Sequence, residues 1–253
     1  ARFGLVHADA TRALSAFRGV SEANTNAALQ AAKSALAPEL AAHEDAIRLD
    51  PKLFRRIAAI YDKRGTLKLD AQSLRLVEVV HDQFAHSGAN LSDADKGRLE
   101  KLNEEASTLS NDFSNKLLAA TKDAAYSTTA PAALEGLPDS QLAAAAQAAR
   151  DRKAEGYVIP LQNTTQQPAL ASLGVRSTRE AIFQNSWGRA ERGDANDTRA
   201  VIARLAQLRA ERAKLLGYAN HASWKLEDQM AKTPQAALAF MDALVPPAKA
   251  TAA

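Results

Sequence analysis

The sequence contains no cysteine, and only 5% of its 253 residues are aromatic. Without cysteine the chain can form neither a disulfide framework nor a thiolate zinc site, and it has no cysteine nucleophile. The few aromatic residues, with only 11 Gly and 9 Pro, leave too few strand and turn formers for a β-sandwich or barrel. No segment approaches the roughly 18 to 20 apolar residues of a membrane span, and residues 1–4 do not open a signal peptide. We therefore expect no membrane partner.

The most abundant residue is alanine, which supplies roughly a fifth of the chain. Alanine is the best helix former but fills a core poorly, so the composition favours helices that pack closely against one another. Strand character is confined to two short stretches, at about residues 126–129 and 157–161. The sequence therefore predicts an all-α fold, a multi-helix array with at most a small two-stranded β-ribbon formed by these stretches.

The longest predicted helix covers about residues 92–124. Apolar residues recur along it at alternating three- and four-residue spacing, which keeps one stripe on the same face. The stripe consists of Leu99, Leu102, Ala106, Leu109, Phe113 and Leu117. We expect residues 1–125 to form a helical array that ends in this helix. Residues 126–253 are expected to hold the ribbon and further helices, continuous with the first part.

Prolines mark predicted helix boundaries. Pro38 is expected to begin a new helix, because proline is tolerated in the first turn but disrupts a helix interior. Pro246 and Pro247 are expected to close the helix that precedes them. Residues 248–253 then resemble the first turn of a helix without an apolar face, which is typical of an interrupted sequence.

The charge distribution argues against a nucleic-acid partner. The formal net charge is +3 and the sequence pI is about 9.1, so a basic binding surface has to be considered. The densest basic cluster consists of Lys52, Arg55, Arg56, Lys63, Arg64 and Lys68. The same predicted helix carries an apolar stripe of Leu53, Phe54, Ile57 and Ile60, and the charges would lie on its opposite face. We interpret the cluster as a solvated helix face.

Histidines are the natural candidates for catalysis or metal binding, at positions 7, 43, 81, 86 and 221. His43 and Glu44 begin like the zinc-binding pattern H-E-x-x-H, but Ile47 stands where the second histidine is needed. His81 and His86 are five residues apart, which places them about 140° apart around a helix and prevents chelation of one ion. We interpret the histidines as caps, core-edge residues or surface groups.

Other catalytic patterns are missing from the sequence. It has no nucleophile elbow and no glycine-rich phosphate-binding loop. The paired carboxylates Glu104–Glu105 and Asp93 with Asp95 fall on the long helix, where solvation is the default. Composition and spacing therefore predict a helical domain with no catalytic residue and no metal ligand, and they leave any substrate-binding residues unknown.

Longer segments carry a family resemblance. Residues 157–170 (YVIPLQNTTQQPAL), 194–199 (DANDTR) and 230–234 (MAKTP) resemble, in this order, segments of bacterial peptidyl-dipeptidases. These enzymes belong to the thimet oligopeptidase and neurolysin family of zinc metallopeptidases. Shorter matches at residues 45–47 and 88–91 extend the resemblance over almost the whole chain.

The resemblance implies an incomplete enzyme. The family fold is a nearly all-helical ellipsoid with a deep channel between two halves, and this chain would supply the N-terminal half. The family's zinc helix, with its H-E-x-x-H motif, would lie downstream, so no catalytic residue or metal ligand can be transferred to this chain. The resemblance thus implies zinc in the full-length enzyme and none bound by this chain.

The implied function is that of an N-terminal, non-catalytic part of a zinc metallopeptidase that releases C-terminal dipeptides from short peptides. This part would form a wall of the substrate channel, and the 253 residues alone would be inactive. Its partners would be short peptide substrates and the missing catalytic half. The bacterial relatives suggest the cytoplasm, and the periplasm is the alternative if a signal peptide was removed.

A second hypothesis is a helical module that binds peptides or proteins by itself and has no catalytic role. The two hypotheses differ in the surface they predict. A large exposed apolar face, sized for a missing domain, would favour the peptidase part, whereas a sealed polar surface would favour the independent module.

Overall fold

The computed structural model describes residues 2–252, with side chains from residue 11 onward. These residues form eleven α-helices, a short 3-10 helix (Pro131–Leu134) and one two-stranded sheet. The helices are α1 (Arg2–Ala23), α2 (Ala27–Arg48), α3 (Pro51–Lys63), α4 (Ala71–His86), α5 (Asp93–Asp123), α6 (Asp139–Asp151), α7 (Asn163–Ser172), α8 (Arg176–Trp187), α9 (Arg199–Leu215), α10 (His221–Leu226) and α11 (Pro234–Ala252). The predicted all-α class is confirmed. The longest helix, α5, lies one residue inside its predicted bounds at each end.

The small ribbon pairs β1 (Tyr126–Thr128) with β2 (Tyr157–Ile159) in antiparallel register, with Ser127 opposite Val158. The second strand ends before its predicted limit at residue 161, because Pro160 has no N–H to donate to a ladder. Gly156, just before β2, has a φ of +77°, and a Cβ there would lie 2.3 Å from the carbonyl oxygen of Thr128. Only glycine fits this approach of the two strands.

By their contacts the residues group into two compact units. Unit 1 contains the residues up to Asn111 together with those from Arg204 onward, and unit 2 contains Asp112–Ala203. The fully buried side chains include Leu99 and Leu208 in unit 1 and Ile182 in unit 2. The core of unit 2 consists of Ala124, Leu134, Ala145, Ile159, Leu161, Ala169, Leu173 and Ile182. The division of the chain at residue 125 stays a prediction.

The expectation for Pro38 is wrong, because α2 continues through it. A proline in a helix interior removes one backbone hydrogen bond to the preceding turn. Here α5 packs beside that turn, where the Ser107 hydroxyl donates to the Ala37 carbonyl (2.9 Å) and the Asn111 amide donates to the Ser34 hydroxyl (2.7 Å). These tertiary hydrogen bonds offset the stability lost through the missing helical hydrogen bond at Pro38.

Pro246 and Pro247 also lie inside a helix, α11, and do not close it as expected. Their missing N–H groups leave the carbonyls of Asp242 and Ala243 without their usual helical donors. Both of these residues are exposed, so water can hydrogen-bond to the two carbonyls. Solvation thus allows the helix to continue past the prolines.

None of the helices in the described part of the chain combines the length and the apolar character needed to cross a membrane.

Candidate functional site

The described histidines are not gathered with other potential metal ligands in groups of three or more. The side chain of His7 lies outside the described residues. From residue 11 to residue 252, no three His, Cys, Asp or Glu side chains lie close enough together to hold a metal ion. The expectation that this chain itself binds no zinc stays a prediction.

Two of the histidines have contacts that suit structural roles. His81 stacks on Tyr61 with ring centroids 3.7 Å apart, and its Nδ1 lies 3.2 Å from a carboxylate oxygen of Asp82. His43 lines a groove of about 600 Å³ between α1 and α2, together with Arg18 and Lys33. The interpretation of these two histidines as core-edge or surface groups agrees with these positions.

The densest group of hydrogen-bonded titratable side chains surrounds His86, at the end of α4. We call His86, Arg212, Tyr218, Trp224 and Glu227 the His86 cluster. The Nδ1 of His86 lies 2.8 Å from a carboxylate oxygen of Glu227, and the Tyr218 hydroxyl donates a short hydrogen bond to the same oxygen. Trp224 stacks on the His86 ring at 4.8 Å, and its indole N–H donates to the His86 carbonyl (3.2 Å). The cluster thus joins the end of α4 to α10.

The electrostatics of the His86 cluster do not favour catalysis. Burial, reinforced by the hydrogen bond to Glu227, raises the pKa of Tyr218, so its hydroxyl stays a neutral donor. The Arg212 guanidinium lies over the Trp224 ring at 4.4 Å, and burial lowers its pKa. With its phenol protonated, Tyr218 is not an activated nucleophile, and the hydrogen bonds of the cluster hold the two helices together.

His221 also packs against Trp224, with ring centroids 5.4 Å apart. Burial lowers the pKa of His221, and the positive charges of Arg209, Arg212 and Lys225 lower it further. Its buried Nδ1 has no hydrogen-bond partner. The neutral imidazole is therefore the form that suits this environment.

A polar seam joins α2 to α5 in unit 1. Asn103, Ser107 and Asn111 recur every four residues on α5 and hydrogen-bond to α2. At one end of the seam, the Asn103 amide donates to both carboxylate oxygens of the buried Asp45, at 2.8 and 3.0 Å. Burial raises the pKa of Asp45, while the hydrogen bond from Asn103 and the charge of Arg212 lower it. The Asn103 amide therefore replaces water as the hydrogen-bond donor to the buried carboxylate of Asp45.

Two of the carboxylates singled out on the long helix, Asp95 and Glu105, have ordinary partners. Glu105 accepts two hydrogen bonds from the Arg204 guanidinium, at 2.6 and 2.8 Å, and this contact lowers the pKa of Glu105. Asp95 accepts from the Ser92 hydroxyl (2.9 Å) at the start of α5. Glu105 is not a candidate general acid, since a general acid at neutral pH needs a raised pKa.

One face of α11 presents a group of exposed apolar side chains. Its side chains are between 45% and 69% exposed, and sequence reasoning missed it although their three- and four-residue spacing was a readable signal. We call these residues the α11 face. They are Leu238, Phe240, Met241, Leu244 and Val245.

Comparison with known proteins identifies the chain's relatives. The sequence model of peptidase family M3 matches residues 169–253. Dipeptidyl carboxypeptidase of Salmonella typhimurium is 49% identical over 240 residues, and that of Escherichia coli is 47% identical over the same length. A probable cytosolic oligopeptidase A of Arabidopsis thaliana is 30% identical over 215 residues.

The matches cover most of this chain but a minor part of each relative. Each dipeptidyl carboxypeptidase match covers 94% of this chain and 35% of the relative, and the Arabidopsis match covers 82% and 30%. The chain therefore spans about a third of the length of the curated relatives that it matches. The chain is therefore similar to dipeptidyl carboxypeptidases along almost all of its residues, and its last third matches the model of peptidase family M3.

Proposed function

We propose that this chain is the N-terminal portion of a zinc metallopeptidase that releases dipeptides from the C-terminus of short peptides. The observation that carries the proposal is the 49% identity to a dipeptidyl carboxypeptidase over 94% of the chain. The name of that relative describes removal of dipeptides from a carboxyl end. Because the chain spans 35% of the relative, the remainder would supply the chemistry.

The proposed role of these residues is to form a wall of the substrate channel. Stacked helices suit such a wall, since a packed helical surface excludes both folded proteins and bulk water. The zinc ion belongs, in this proposal, to the remainder of the protein, since no three potential ligands come together in residues 11–252. Short peptides and the catalytic half are the proposed partners, and the cytoplasm is the proposed compartment.

The exposed α11 face favours this function over an independent binding module. An independent module would gain solubility from a polar surface, whereas a part of a larger protein keeps apolar surface for its missing neighbour. Five side chains on one helix face, each about half exposed, fit the second description.

Peptide hydrolysis tests the proposal. Two proteins are compared, the 253-residue chain and the polypeptide encoded by the complete gene, each with a pentapeptide that has a free C-terminus. We expect the longer polypeptide to release the C-terminal dipeptide, detected by mass spectrometry, and to lose this activity on treatment with a zinc chelator. The 253-residue chain is expected to release nothing.

The control substrate is the same peptide with an amidated C-terminus, which the longer polypeptide should cleave much more slowly. Release of dipeptides by the 253-residue chain alone would overturn the proposed non-catalytic role. Cleavage of the amidated peptide at an equal rate would show an endopeptidase and overturn the proposed substrate class.

A further inference from the structure

The described part of the chain leaves the α11 face largely open to solvent. At 100° per residue, its five side chains fall within an arc of about 160° around the helix. The opposite side carries small or polar residues such as Ala239 and Asp242. The helix is therefore amphipathic, but its apolar side faces solvent along most of its length.

We propose that the α11 face docks against the part of the M3 polypeptide that lies outside these 253 residues. This inference rests on the proposed function, in which the chain is one portion of a longer protein. Phe240 and Leu244, one turn apart, are the proposed anchors, since they are 69% and 53% exposed. An amphipathic helix that inserts residues at such spacing into an apolar groove is a recurrent mode of protein contact.

The length of the relatives supports this occupant. Dipeptidyl carboxypeptidases are almost three times as long as this chain, which covers 35% of them. The family model that matches this chain includes the whole of α11. A large amount of polypeptide is thus available in a family member to cover the helix.

The size of the α11 face argues against a second copy of this chain as the occupant. Five side chains, each about half exposed, present on the order of 300 Å² of apolar surface. Stable association of two separate chains usually buries roughly 800 Å² on each partner. A covalently continuous partner needs less area, because its high effective concentration removes most of the cost of association.

Cysteine labelling tests the docking directly, because the chain has no cysteine of its own. The test variant is Leu244→Cys, and the matched control is Ala239→Cys, about 140° away around the same helix. Both positions are exposed in this chain, so N-ethylmaleimide should label them at rates within about threefold of each other. In the polypeptide encoded by the complete gene, we expect labelling at position 244 to be at least tenfold slower, with position 239 unchanged. Peptide mass mapping measures the rate at each site.

Equal labelling of Leu244→Cys in both proteins would overturn the docking. If this variant does not fold in the longer protein, Phe240→Cys replaces it with the same control and the same expected tenfold protection. Slow labelling in the 253-residue chain itself, with a dimer seen by light scattering, would identify a second copy as the occupant and also overturn the proposal.

The peptide assay on the same longer protein separates the two proposals. Dipeptide release without protection of position 244 would contradict the docking alone. Protection without dipeptide release would contradict the peptidase function alone.

Discussion

The hydrogen bond between Asn103 and Asp45 is the interaction in unit 1 whose loss should have the clearest pH signature. Asp45 is only 9% exposed, and the Asn103 amide lies within 3.0 Å of both its carboxylate oxygens. The substitution Asn103→Ala removes this donor and leaves a buried carboxylate that water reaches poorly. We therefore expect the variant to fold but to be clearly less stable at neutral pH.

The expected magnitude follows from the charge and burial of the acceptor. A hydrogen bond to a charged group contributes about 1.5 to 3 kcal/mol, whereas a bond between neutral groups contributes about 0.5 to 1.5 kcal/mol. The higher helix propensity of alanine stabilises the variant by roughly 0.5 kcal/mol, which offsets part of this loss. The free energy of unfolding should thus fall by about 2 kcal/mol at pH 7, which lowers Tm by about 5 °C for a chain of this length.

The pH dependence has a definite sign. Burial already holds the pKa of Asp45 above its ordinary 3.8, and the bond from Asn103 opposes that rise. Without Asn103 the pKa of Asp45 in the folded variant rises further. As the pH falls, the folded variant therefore binds its proton before the unfolded chain does, and this binding stabilises the fold. The stability lost at pH 7 should therefore shrink as the pH falls towards 4.5 and Asp45 becomes protonated.

Thermal and urea unfolding followed by circular dichroism at pH 7 and pH 4.5 measure both effects. The matched control is Asn111→Ala on the same helix face, because Asn111 donates to the neutral Ser34 hydroxyl. The Asn111→Ala control should lower the free energy of unfolding by a smaller amount, and by the same amount at both pH values. Equal losses for the two variants, or an unchanged loss for Asn103→Ala at pH 4.5, would refute the reasoning.

Three further variants test other parts of the structure. Gly156→Ala should destabilise the protein by about 3 kcal/mol or more in urea unfolding, because it combines positive φ with a backbone clash. Gly193→Ala has a similar φ of +73° but no atom within 4 Å of the new Cβ, so it should cost only about 1 kcal/mol. Equal costs would contradict the role of the clash. The lowered pKa of His221 stabilises the folded state above pH 6.5 and ceases to do so as the pH falls through its folded pKa. Between pH 7.5 and 5.5 the Tm of His221→Gln should therefore fall less than the Tm of the wild type. Parallel curves of Tm against pH would argue against this effect.

Local sequence patterns predicted a helix well where an apolar periodicity marks it. The repeat that begins at Leu99 predicted α5 because one apolar stripe persists over its whole length. The same reasoning failed at Pro38, where the local cost of proline is offset by Ser107 and Asn111. These residues lie about 70 positions further along the chain, so no local pattern could reveal them.

The candidate site was less accessible to sequence reasoning. His86 meets Tyr218 and Glu227 across 132 and 141 residues, and a side chain's sequence neighbours give no signal of partners at such separations. The α11 face could have been read from its spacing, but its amphipathic pattern alone does not tell whether a neighbour covers it.

The sequence by itself determined the all-α class, the long helix and the similarity to dipeptidyl carboxypeptidases, because helix propensity, apolar periodicity and shared segments are written in consecutive residues. Tertiary structure decided that α2 and α11 continue through their prolines, that His86 is paired with Glu227, and that the α11 face is uncovered. The physical reason is that these features depend on which groups meet, or do not meet, after folding. Hydrogen bonding, burial and exposure are properties of that arrangement, whereas propensity is a property of the residues themselves.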